Sequence, residues 1–394
     1  MVRDQLTLAA SVGRVGATMI REKFGREGGA VGPDDVPAGV DQLSKDWLTA
    51  VLCRRVPDAR VVGFTAGSGS EGGTSRRALT VCYNDAGQAA GLPRAVFSKA
   101  LPRFLSRLIV GITGIGSGEA LFYDRIRPEL DIGAPAGYYG GWDPRSWRYM
   151  VLIEDIAATR QASFPEAGIK VDRAGAECMI REMAGYHGAM WEDPRLDTEW
   201  STLVDPHAWQ RSFNTHAGGT LGVIAAYRLG AGDIPSELLA RRSEIRGSLM
   251  RSLEINRAGT RTLLHQDPHP RNWFQLPDGS VHLFDWQCIA KGNWALDVSY
   301  ALCSVLDTED RRAWERDLLE LYLDELGTAG GKPPPLEEAW LAYRQQVIHS
   351  FAFWAYTLSV NHLSDIHPQD VTRGIVRRTG QAMVDLDTLD AIRA

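Results

Sequence analysis

The sequence is short of cysteine. It has five in 394 residues, Cys53, Cys82, Cys178, Cys288 and Cys303, an odd number with no C-x-x-C pair. That pattern indicates neither a disulfide framework nor a zinc knuckle, and it fits a reducing, cytoplasmic compartment. An excess of basic residues is also missing. The formal net charge is -6 and the pI about 5.9, with no run of five like charges. The stripe of Lys and Arg that a nucleic-acid scaffold needs is therefore not expected. No apolar run reaches membrane-spanning length. The apolar stretch within MVRDQLTLAASVGRVGATMIREKF is interrupted by Arg14 and is followed by no small-residue cleavage site. It reads as an amphipathic surface helix, not a signal peptide. Repeats and low-complexity tracts are absent as well.

What remains is an ordinary globular composition, 44% apolar and 23% charged, in a chain long enough for two or three domains or one bilobal enzyme. Residues 25–39, GREGGAVGPDDVPAG, read as a linker. DQLSKDWLTAVLCRRV has helical spacing, with Leu43, Trp47, Val51 and Leu52 on one face. The period then changes. ARVVGFTA, RRALTVCYND, PRAVFSKAL and WRYMVLIEDI are short and β-rich, and they predict an antiparallel sheet. GEALFYDRIRPEL is predicted as a helix. After about residue 157 the pattern is helical, over 171–191, 205–230, 235–257, 295–305, 309–327, 336–362 and 369–392. VHLFDW interrupts it as a strand behind a P-D-G turn. The expectation is an α+β chain with two lobes and a cleft between them.

One segment carries chemistry: His265-Gln266-Asp267-Pro268-His269-Pro270-Arg271-Asn272, followed by Phe284-Asp285-Trp286. Phosphoryl transfer from ATP needs a group to orient and deprotonate the incoming hydroxyl, and oxygen ligands for Mg²⁺ on the phosphates. Asp267 supplies the first. Asn272 and Asp285 supply the second, brought together by the P-D-G turn. His269 is a candidate phosphate contact or a packing residue, and His265 a brace for the loop. The transfer also needs a cation on the phosphates, oriented by an acid. Lys99 is the only lysine between Lys45 and Lys170, and Glu119 follows in the next helix. Gly67, Gly69, Gly72 and Gly73, in TAGSGSEGGTSRR, would let backbone N–H groups approach phosphates.

The loop resembles that of aminoglycoside phosphotransferases, choline kinases and ecdysteroid-kinase-like proteins, in which H-G-D-x-H-x-x-N precedes I-D-W or I-D-F. Gln266 departs from the usual Gly. The resemblance implies a bilobal, protein-kinase-like fold with a small antiparallel-sheet N-lobe and a large, mostly helical C-lobe. Residues 1–39 would form a helix and linker, 40–155 the N-lobe and 156–394 the C-lobe. It implies that the backbone at Glu154, Asp155 and Ile156 faces adenine and that Asp297 braces the catalytic loop. It also implies a small-molecule hydroxyl acceptor, with ATP and Mg²⁺ as cofactors. The FDWQ strand and LPDG turn look closer to the ecdysteroid-kinase-like branch, which favours a larger, partly apolar alcohol. Only eleven residues separate Asp285 from Asp297, too few for a protein-kinase activation segment, so a peptide substrate is not expected. Two other readings compete. A metal-dependent hydrolase would use His265, Asp267 and His269, although H-E-x-x-H and H-x-H-x-D-H are both lacking. A nucleotide-binding pseudokinase would keep the fold without turnover.

Overall fold

The computed structural model describes residues 2–24, 32–71, 74–113, 115–216, 218–364 and 367–394. Residues 25–31 of the predicted linker, with Gly72 and Gly73, lie outside them. The chain divides into two compact units, Met1–Glu129 with Pro135–Gln161, and Leu130–Ala134 with Ala162–Ala394.

The first unit is built on an antiparallel sheet of β1 (Val61–Glu71), β2 (Ser75–Tyr83), β3 (Ala95–Ala100), β4 (Gly137–Asp143) and β5 (Arg148–Glu154), in the order β1-β2-β3-β5-β4. Val96 and Ala100 of β3 and Met150 and Leu152 of β5 join one core with Trp47, Leu48 and Val51 of the Lys45–Leu52 helix. Side chains alternate along a strand, so Lys99 and Tyr149 take the other face. The N-terminal helix, Val2–Phe24, is tied to this unit through Glu22. Its carboxylate receives the buried Arg107 guanidinium at 2.8 Å and that of Arg148 at 2.8 Å.

Three expectations change here. β1 and β2 run through most of the Gly-rich segment, so Gly67 and Gly69 lie on a paired strand, with a register shift between Ala66 and Gly69. A bulge of this kind takes up extra residues without ending the ladder. β4, GYYGGWD, is a strand that the sequence reading missed, because three glycines in seven residues argue against one. The glycines serve packing. A Cβ on Gly140 would lie 2.1 Å from the Ala120 carbonyl oxygen, and one on Gly137 2.0 Å from that of Tyr123. Bare backbone lets the helix Ile115–Leu121 and the turn after it lie directly on the strand. The predicted 118–130 helix is thus a short α-helix followed by a π turn and a 3₁₀ turn.

The second unit is mostly helical, from Arg173–Ala189 to Thr388–Ala391. The predicted 205–230 helix is two helices, Pro206–His216 and Gly219–Leu229, and the second is preceded by Gly218 in the left-handed region, φ 69°. Among the helices lie two small antiparallel ladders. One pairs β6 (Thr262–Leu264) with β9 (Ala290–Gly292), and the other pairs β7 (Trp273–Gln275) with β8 (Val281–Leu283). The P-D-G turn joins β7 to β8 as predicted, with Gly279 at φ 89°. Among the described residues no helix is long and apolar enough to cross a membrane.

Candidate active site

β6 delivers the chain to His265, and the loop 265–272 then folds over the start of the helix Ala295–Val305. Asp297 in that helix holds the loop. Its Oδ2 accepts the backbone N–H of His265 at 2.7 Å and the Tyr186 hydroxyl at 2.8 Å, and its Oδ1 accepts the N–H of Gln266 at 2.8 Å. His187 Nε2 lies 3.4 Å from Oδ2, and its Nδ1 faces the Tyr322 hydroxyl at 2.9 Å. Burial works against the Asp297 charge, yet the hydrogen bonds from His187 and Tyr186 hold its carboxyl below the usual range. Burial pushes the His187 imidazole below its usual value, with Asp297 opposing.

Gln266 shows why the related loop carries glycine there. Its φ is 65°, in the left-handed region that side chains rarely adopt. The N–H bond to Asp297 keeps it there, a local strain held by its surroundings. Asp285, two residues past the end of β8, has φ 62° as well.

Asp267 is buried, 7% exposed, in a polar cage. Its Oδ1 accepts the Tyr300 hydroxyl at 2.8 Å, and Tyr300 in turn accepts Trp354 Nε1–H at 2.7 Å. The Asn272 amide donates to the Asp267 carbonyl at 2.9 Å and to Oδ2 at 3.3 Å. Burial pushes the Asp267 carboxyl well above the usual carboxylate range; the Asp285 and Asp297 charges add to this, while Tyr300 and Asn272 oppose it. Burial and neighbouring carboxylates both disfavour the ionised form of a carboxyl.

Hydrogen bonds to the backbone engage both ring nitrogens of His265 and one of His269. His265 Nε2 meets the Phe284 carbonyl at 3.0 Å and its Nδ1 accepts the Asp267 N–H at 3.3 Å, so both nitrogens are used within the loop. His269 Nδ1 accepts the Arg271 N–H at 3.1 Å, leaving Nε2 to carry the hydrogen 3.6 Å from Asp267 Oδ2. Burial, with help from His367, holds this imidazole well below its usual value. His269 therefore stands beside Asp267 as a neutral group. The hydrolase reading needs both rings as metal ligands, and His265 has both of its nitrogens engaged by backbone groups.

In the first unit, Lys99 and Glu119 form a buried ion pair, Nζ to Oε2 2.8 Å, and the Tyr149 hydroxyl also donates to Glu119. At the end of β5 the Glu154 N–H donates to the Ala136 carbonyl at 2.8 Å. The Glu154 side chain is taken up by Arg160 and Thr159, Asp155 caps the short helix Ile156–Arg160, and Ile156 is buried.

Residues 127–341 match the model of the phosphotransferase enzyme family. The chain belongs to that family. A comparison with curated proteins returns no match. Among solved structures, a protein from Ralstonia eutropha JMP134, provisionally described as an aminoglycoside phosphotransferase, aligns over 88% of this chain and 97% of its own. The identity is 14% and the TM-score 0.50, a likeness of fold alone. A choline kinase from Streptococcus pneumoniae aligns over 82% and 94% at 13% identity, TM-score 0.43. A macrolide 2'-phosphotransferase from Brachybacterium faecium aligns over 84% and 98% at 12%, TM-score 0.41. This phosphotransferase thus has the α+β, kinase-like fold expected of it.

Sequence reasoning missed Tyr300 and Trp354. A signal for the first was present: Tyr300 follows Asp297 by three residues, so both stand on one helical face. Trp354 had no such marker, because nothing near it in sequence belongs to the loop.

Proposed function

We propose that this phosphotransferase is a kinase that uses ATP and Mg²⁺ to phosphorylate a hydroxyl of a small molecule. The observation that carries the reading is the Asp267 cage: a buried carboxylate held by Tyr300 and Asn272, with a neutral His269 beside it. Asp267 orients the acceptor hydroxyl and takes its proton late, since a loose transition state needs orientation more than early deprotonation. Asp297 fixes the backbone that presents it.

The donor set suits a hard cation. With the Asn272 amide nitrogen turned to Asp267, its carbonyl oxygen is the atom left to ligate, and the Asp285 charge bears on Asp267 closely enough to raise its carboxyl. Among the described residues no group of three His, Cys, Asp or Glu is placed to hold a metal alone. Mg²⁺ commonly takes one or two protein oxygens and completes its shell with phosphates and water. Asn272 and Asp285 would hold it, and it would neutralise charge on the phosphates. Lys99, kept in place by Glu119, supplies the fixed cation for the phosphates, with Gly67 and Gly69 on β1 of the same sheet. The backbone over Glu154, Asp155 and Ile156 is the proposed adenine edge. The proposed lobes are residues 40–155 and 156–394, and the proposed nearest branch is the ecdysteroid-kinase-like one.

A coupled ADP-release screen against a library of alcohols tests this. The expected result is Mg²⁺-dependent ADP formation with some alcohol, lost in Asp267→Asn with the fold intact. ADP release that ignores every alcohol and survives Asp267→Asn would remove the proposal.

A further inference from the structure

The second unit contains a cavity of about 320 Å³ between the helices Pro206–His216, Gly219–Leu229, Arg242–Ala258 and Leu336–Ser364. That volume is at the small end of the range for organic ligands. Its walls are largely apolar and aromatic, including Phe213, Val223, Leu249, Phe353 and Tyr356. Ile224 lines it while 55% exposed, so the apolar lining continues to the surface. Two cations break this surface. Arg242 and Arg246 also line the cavity and are exposed. They stand one helical turn apart on the same face as Ile245 and Leu249. Arg246 has no ion pair among the described residues, and Arg242 donates only to the Leu239 carbonyl, at 3.0 Å. Tyr227 lines the same space, its hydroxyl pushed up to about 12 by burial, with Arg242 opposing.

We propose that this cavity receives the apolar segment of the acceptor and that Arg242 and Arg246 hold an anionic group on it. The acceptor is then an amphiphilic alcohol bearing a carboxylate or a phosphate, not a polycation. The assignment rests on the phosphotransferase reading, which names the acceptor as an alcohol. The lining supports it on two counts: an apolar body gains by leaving water, and paired guanidinium groups recognise carboxylate and phosphate oxygens. A polyamine would meet like charge at the rim.

Calorimetry on the full chain without nucleotide tests the site, with 10-hydroxydecanoate, 10-hydroxydecyl phosphate and the neutral 1,10-decanediol as probes. Either anion should bind about tenfold more tightly than the diol, the scale of a hydrogen bond to a charged group. The preferred anion tells carboxylate from phosphate. Each methylene removed should weaken binding about fourfold. R242A/R246A should erase the preference for anions. Val223→Phe should fill the cavity and weaken all three probes, with its fold checked by thermal melting. Equal binding of acid and diol, or an unchanged preference in R242A/R246A, overturns the proposal. So does an enzyme that phosphorylates other alcohols but neither anionic probe. Anion-selective binding with no alcohol phosphorylated at all would sink the phosphotransferase reading and, with it, the acceptor assignment.

Discussion

Tyr300→Phe is the sharpest test of the role proposed for Asp267. The Tyr300 hydroxyl donates to Asp267 at 2.8 Å and accepts from Trp354 Nε1 at 2.7 Å, all within the core. Phe fills the same space, so little cavity term arises. The loss is polar. The bond to a charged carboxylate contributes about 1.5–3 kcal/mol, and the stranded Trp354 N–H costs about 1–3 kcal/mol. The folded state should lose several kcal/mol at most and melt several degrees lower. If the first bond persists in the transition state, its loss lowers kcat about 10- to 100-fold. The pH profile separates this from a merely structural effect. Asp267 ionises above the usual carboxylate range, so activity falls as pH drops through that raised value. Tyr300 favours the ionised form, and removing it moves the acid limb of kcat/KM to still higher pH. The assay is coupled ADP release across pH, with thermal melting as the fold control. A folded Tyr300→Phe enzyme with wild-type kcat and a superimposable profile would refute the role given to this hydroxyl.

Asp267→Asn should lower kcat by about 10²-fold or more, the scale of losing a general base, while calorimetry finds ATP affinity little changed. Lys99→Ala should weaken productive ATP use, read as a raised KM for ATP; normal turnover at low ATP would remove Lys99 from the phosphate site. Glu119→Ala strands a buried ammonium and should cost about 3–5 kcal/mol, visible in denaturant melts. Asp285→Ala should harm Mg²⁺-dependent turnover more than Asn272→Ala, because a carboxylate brings charge where an amide brings one neutral oxygen. Stability should also fall in mild acid. Burial lowers His349 to about 4 and holds His187 and His269 below their usual 6.5. The unfolded chain therefore binds protons first as pH drops from about 6.5 toward 4, and stability is lost across that window. His349→Gln should give a shallower decline in melting temperature there.

The loop was legible because its chemistry is local. Asp267, His269 and Asn272 lie within six residues, and a strand reached by one tight turn brings Asp285 back. Lys99 and Glu119 were found by scarcity and order, and the structure pairs them at 2.8 Å. β4 was not legible, since its glycines answer to a helix lying on them and not to strand propensity. The break at Gly218 was hidden because apolar spacing continues across 205–230. Trp354 reaches Tyr300 from 54 positions away, and no periodicity reports a contact of that range. Gln266 is the instructive case: the departure from glycine was visible, but its cost becomes visible only with the φ of 65°.

The helix Leu336–Ser364 has two duties that meet at adjacent residues. Phe353 lines the cavity, and Trp354 steadies Tyr300 and through it Asp267. On the proposed reading, acceptor preference and catalytic geometry share a mechanical part, which narrows the routes by which this enzyme can be retailored. Changes at Ala352, Phe353 or Tyr356 would carry over into the hydrogen-bond chain and trade rate for selectivity. Changes on Gly219–Leu229 or at Arg242 and Arg246 reshape the opposite walls and leave that chain alone. A library aimed at new alcohols should be rich in active members when it draws on those two helices, and poor when it draws on the third.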